Sequence, residues 1–170
     1  MIALYQAAMA LLFILASFVR LPFFLPGRGL ADMNALFVLY LAYFRPVRQG
    51  AAFVCAVGIA MDSLSAGPFG LHLVVYLFLF TVFRLAPRYL QVKNALFLAA
   101  SSALAVLVEE GALAFPVLAA GAEPAAPPEL ARHIFMSVLF AGVVGWPVIS
   151  ALRAGSEKVS AWRTARRTTA

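Results

Sequence analysis

The chain has 170 residues, of which 64% are hydrophobic and only 12% charged, and its net charge is +6. Soluble domains are about half apolar and a quarter charged, so this composition excludes a water-soluble globule and leaves no room for a separate soluble domain. The cations sit in short loops beside apolar runs and on the tail, the pattern of topology signals and anionic-lipid contact rather than of a nucleic-acid-binding face.

Six apolar segments follow in order, at 2–19, 30–44, 51–65, 68–86, 95–118 and 130–152. A bilayer crossing needs about 20 residues. The first segment lacks a basic start and a small-x-small cleavage site, so it reads as a retained helix rather than a signal peptide. After it, Leu21-Pro-Phe-Phe-Leu-Pro26 is broken by prolines yet apolar, which predicts a loop held at the interface. The second segment is short and carries Asp32 and Asn34 near its start, so its full crossing is the weakest of the six.

The third segment holds Cys55, the sole cysteine, which excludes an intramolecular disulfide and reads as a small buried hydrophobe. Gly58 and Asp62 lie four apart, so a groove on one helix face leads up to the acid as a packing seam. Asp62 to His72 is the shortest link between two apolar segments. Gly67 and Gly70 free the backbone for a sharp reversal, and Pro68 suits the start of a new helix.

Ser101 and Ser102 fall in mid-helix of the fifth segment, where back-bonding to helix carbonyls is expected. The 119–129 loop is rich in alanine and proline and reads as extended and mobile. In the sixth segment Pro147 predicts a kink or local opening unless neighbours serve the freed carbonyl, and Gly142 and Gly145 permit close helix contact. From Arg153 onward the tail has five basic residues, one acid and Trp162, and reads as a lipid-facing cytoplasmic segment open to helix formation. The expected organisation is a transmembrane domain over 1–152 and a basic tail over 153–170.

Basic residues set the orientation. If all six segments cross, ten cations share one side with both termini and three lie opposite, which places both termini in the cytoplasm. If the second segment dips in and returns, the count is twelve against one with the N-terminus outside. Both arrangements make 84–94 and the C-terminal tail cytoplasmic and turn 65–68 and 119–129 outward.

Besides Asp32 at the start of the second segment, the acids within apolar segments are Asp62, Glu109 and Glu110. At about 1.5 Å per residue they all reach the outer half of the membrane, level with His72, Arg132 and His133. Such intramembrane acids are costly without a partner or a function. Three readings stand beside one another: a structural cluster in which Arg132 or Arg20 offsets a glutamate and Asp62 caps backbone donors, a functional polar pocket, and a metal site. The last is disfavoured, because adjacent glutamates point about 100° apart and neither histidine sits in a ligand-spaced motif. No nucleophile elbow, phosphate-binding loop or zinc-protease helix occurs, so neither a catalytic set nor a cofactor is expected.

The pattern Gly58-x-x-x-Asp62 followed by Gly67-Pro68-Phe69-Gly70-Leu71-His72 resembles the signature region of the rod shape-determining protein MreD family. Chain length, feature order, basic inner loops and short basic tail are similar across almost the whole chain. The resemblance implies an all-α integral membrane protein: a six-transmembrane-helix bundle in the bacterial inner membrane, both termini cytoplasmic, folded like the S components of energy-coupling-factor transporters. It implies a non-enzymatic scaffold for cell shape and peptidoglycan synthesis within the elongasome. The implied partners are an MreC-like single-pass protein, RodA, a class B penicillin-binding protein, MreB and membrane lipids. The alternative is a vitamin-transporter substrate-binding subunit whose outward pocket uses Asp62, His72, Glu109, Glu110 and Arg132.

Overall fold

The computed structural model describes residues 2–18, 33–65, 68–85, 94–119 and 127–168. They form six helices: α1 Ile2–Phe18, α2 Met33–Phe44, α3 Val47–Leu64, α4 Leu71–Leu85, α5 Ala95–Ala119 and α6 Pro127–Thr168. Three are long and apolar enough to cross a membrane, over Val47–Leu64, Ala95–Phe115 and Ala131–Val159.

The bundle is built around its shortest helix. Every residue of α2 from Asn34 to Ala42 is buried, and α2 packs against each of the other five helices. A helix apolar all round is stable only where it is surrounded. Its 12 residues span roughly 18 Å, well short of the hydrocarbon core. Protein, not lipid, is therefore what α2 meets along its length.

Contacts at the two ends show that successive helices reverse direction. At one end the Tyr5 hydroxyl donates to the Leu152 carbonyl at 3.4 Å, and the Arg153 guanidinium lies 5.3 Å from the Phe44 ring centre. Arg84, in the last turn of α4, donates to the carbonyls of Ala42 and Arg45 at 2.7 and 2.5 Å. This arginine end thus gathers the start of α1, the close of α2 and α4, and the 152–153 region of α6. At the opposite end Asn34 meets Met61 at 3.3 Å, and Asp62 meets His72. The first turn of α1 and residue 152 therefore share one end of the bundle.

Apolar side chains cover the outer faces of the helices as well as the core, and a few polar groups lie inside. Leu12 and Leu15 on α1, Val74 and Phe78 on α4, Leu104 on α5, and Leu139 and Val143 on α6 all face outward, while Gln6, Asn34, Asp62, Ser102 and Glu109 are buried. A continuous apolar exterior of this kind is stable against lipid and costly against water.

Several elements differ from the sequence reading. Helix α3 begins at Val47, directly after Pro46, rather than at 51. Of the 119–129 loop only 120–126 lie outside the described residues, since Pro127 and Pro128 open α6. Proline suits a first helical turn, whose N–H groups have no intrahelical acceptor. Helix α6 then continues unbroken through Pro147 and past 153 to Thr168, 42 residues or roughly 63 Å. The tail is a continuation of the last helix, and Arg153 pairs with Glu157 one turn on at 2.8 Å. Cys55 is half-buried rather than buried.

Candidate functional site: the α3–α4 corner and its neighbours

Helix α3 closes with the Ser65 amide donating to the Met61 carbonyl at 2.8 Å. The chain reverses through Pro68 and Phe69 to Gly70, whose φ of +96° is a left-handed conformation open to glycine and strained for other residues. Phe69 is 76% exposed at the tip of this turn. The Leu71 amide donates to the Pro68 carbonyl at 3.3 Å and the Val74 amide to that of Gly70 at 3.0 Å, which starts α4. Gly67 lies outside the described residues.

The opening amides of a helix have no acceptor within it. Those of α4 are served from the preceding helix. Asp62 Oδ1 accepts the His72 amide at 2.9 Å and Oδ2 accepts the Leu73 amide at 3.2 Å. Asp62 Oδ1 also lies 3.1 Å from His72 Nδ1. Both residues are buried, so a single carboxylate answers two backbone donors and one ring nitrogen away from water. The negative charge also sits where the α4 dipole is positive. His72 packs edge-on against Tyr76 with ring centres 6.0 Å apart, which fixes its plane.

Gly58 explains how Asp62 reaches that position. A Cβ on Gly58 would sit 2.7 Å from the Leu73 Cα, so only glycine lets the two backbones approach this closely. One turn further along the same face stands Asp62. The four-residue spacing is thus a close-contact point followed by a cap: the glycine brings the helices together and the acid joins them.

The other sequence-marked residues form a second group between α5 and α6. Glu110 Oε1 lies 3.6 Å from His133 Nε2, with both side chains largely covered. Glu109 is buried at 1% exposure, one position away on a different face. Arg132 is exposed, and histidine rather than Arg132 is the residue that faces Glu110. Arg20 lies outside the described residues. Asp62 with His72 and Glu110 with His133 thus make two acid–histidine pairs, one on the α3–α4 hairpin and one on the α5–α6 hairpin. No group of three or more potential metal ligands occurs among the described residues.

The mid-helix serines divide their roles. Ser102 back-bonds to the Leu98 carbonyl at 2.7 Å, whereas Ser101 accepts the Tyr43 hydroxyl at 2.9 Å and ties α5 to α2. Gly145 of α6 faces the Ser102 side chain so closely that no Cβ would fit, and a Cβ on Gly142 would meet Ala103 at an ordinary 3.7 Å.

Sequence reasoning missed Arg84 and Arg45. Arg84 mirrors Asp62: it serves the unpaired carbonyls at the close of α2 as Asp62 serves the amides at the start of α4. Arg45 donates to the Tyr40 hydroxyl from Nε at 3.1 Å and from Nη2 at 2.6 Å. The position of Arg84 in the last apolar turn of its segment was the available signal, since a cation there must find oxygen or snorkel. Comparison with protein-family models, curated proteins and solved structures finds no match.

Proposed function

We propose that the chain is a non-enzymatic membrane scaffold of the bacterial cell-elongation machinery, of the MreD type, with all six helices crossing the inner membrane and both termini cytoplasmic. One observation carries the reading. The residues that bear the resemblance, Gly58, Asp62, Gly70 and His72, together make a single built corner whose role is architectural. Each chemically capable atom of Asp62 there is occupied by a backbone amide or by the imidazole, as suits a framework residue. The reversal of helix direction and the shared end of α1 and residue 152 support the six-span orientation. An S-component-like fold belongs to the same proposal.

In this reading the corner and the adjoining helix faces dock an MreC-like single-pass partner, and through it RodA, a class B penicillin-binding protein and MreB. Packing of small residues and a few polar contacts supply affinity between membrane helices. The test is co-purification with a tagged MreC-like protein in detergent, alongside cell shape. Gly70→Leu and Asp62→Ala, at expression levels matched to the parent, are expected to lose the partner and round the cells. Retention of both complex and rod shape by both variants would overturn the motif's assigned role.

A further inference from the structure

Three guanidinium groups meet at the last turn of α2. Arg45 closes that helix and is drawn back onto Tyr40, its Cζ 5.5 Å from the ring centre. Arg84 reaches in from α4 and donates to the Arg45 carbonyl at 2.5 Å. Arg153 reaches in from α6 and stacks over Phe44 at 5.3 Å. Arg48 stands exposed in the first turn of α3, one residue beyond the Pro46–Val47 connection. Among the described residues a single carboxylate, Glu157, is bonded into this group, at 2.8 Å from Arg153 Nε.

The known bonds leave donors over. Arg84 uses Nη1 alone, Arg45 uses Nε and Nη2 on one hydroxyl, and Arg153 uses Nε in its bond to Glu157. A guanidinium presents five N–H groups in a fixed fork suited to phosphate oxygens. Convergent like charges beside an apolar bundle repel unless an anion joins them. Tyr40, Phe44 and the backbone carbonyls hold the arginines in place, so the positive field is preorganised rather than diffuse.

We propose that Arg45, Arg84, Arg153 and Arg48 form a binding site for the phosphate of an anionic phospholipid at the arginine end of the bundle. Basic recesses between membrane helices are the recognised seat of anionic headgroups, and the apolar exterior beside this one receives the acyl chains. A free inorganic phosphate shares the chemistry and is the other source to be distinguished. The site depends on the chain lying in a bilayer and not on any elongation partner, so partner loss and site loss are separable.

The experiment compares thermal unfolding of the full chain in nanodiscs of phosphatidylcholine and of phosphatidylglycerol. A bound anionic lipid raises the midpoint by about 5 °C, by mass action on the folded state. Arg48→Gln with Arg153→Gln, two exposed positions whose loss spares both helix caps, is expected to remove at least half of that shift. Replacing Arg163, Arg166 and Arg167 by glutamine is expected to leave it in place. Equal midpoints in the two lipids, or a shift that vanishes with the tail arginines and survives the Arg48/Arg153 change, overturns the proposal. A shift reproduced in detergent by inorganic phosphate alone, with no added gain from phosphatidylglycerol, overturns the lipid assignment.

Discussion

The Asp62 carboxylate holds the His72 amide at 2.9 Å and the Leu73 amide at 3.2 Å, so the end of α3 caps the start of α4. A hairpin of apolar helices is thereby closed by side chain to backbone bonds.

Removing that cap leaves buried donors without acceptors. Asp62→Ala is expected to cost about 1–3 kcal/mol, and Asp62→Asn less, because one acceptor oxygen remains. His72→Ala keeps both amide bonds and is expected to cost less than Asp62→Ala. Thermal unfolding in detergent ranks the three. An alanine at 72 as damaging as one at 62 would show that the ring contact, not the capping, is what matters.

The glycines separate by what surrounds them. Gly58→Ala forces a Cβ to 2.7 Å from the Leu73 Cα and must push α3 from α4, whereas Gly142→Ala finds Ala103 at 3.7 Å. The first change is expected to destabilise by about 1–3 kcal/mol through overpacking, and the second to be near neutral. Circular-dichroism melts of the two single variants make the comparison.

Gly70 is constrained by its own backbone rather than by neighbours, since nothing lies within 4 Å of its Cβ position. At a φ of +96° its replacement by asparagine is expected to be tolerated better than by valine, the latter costing roughly 1–3 kcal/mol in backbone strain. Matched melting curves of Gly70→Asn and Gly70→Val test the ordering. Equal melting of the two would mean that the turn relaxes.

At the opposite end, Arg84→Gln strips the Ala42 and Arg45 carbonyls, at and just past the close of α2, of their shared donor. The expected loss is about 1–3 kcal/mol, with Arg84→Lys recovering part of it through a single ammonium bond. Hydrogen exchange at the last turn of α2 reads the effect locally. Unchanged protection there would show that the carbonyls find another donor.

Much of this architecture is legible in the residues. The apolar runs mark the helices, and the adjacency of Glu109 and Glu110 correctly separates their directions: one is buried, the other faces His133. The Gly58–Asp62 spacing marks the contact face. What escapes is whatever depends on distant partners. Arg84 acts on carbonyls 39 and 42 positions earlier, which no local pattern encodes. The length of the sixth helix is legible only in part: hydropathy ends at 152, whereas the helix runs on to Thr168, with Arg153 and Glu157 paired one turn apart on its surface. The second segment looks marginal because span length is judged against a bilayer, whereas here the surroundings of α2 are other helices.

That enclosure of α2 has a consequence for biogenesis. The second helix leaves the ribosome before α3, α4, α5 and α6 exist, although it packs against all of them. Alone in lipid its 12 residues would leave both ends of its backbone in hydrocarbon. The donor for its final carbonyls is synthesised some forty residues later, in Arg84. Made second, α2 reaches its native surroundings only when the last helix closes around it.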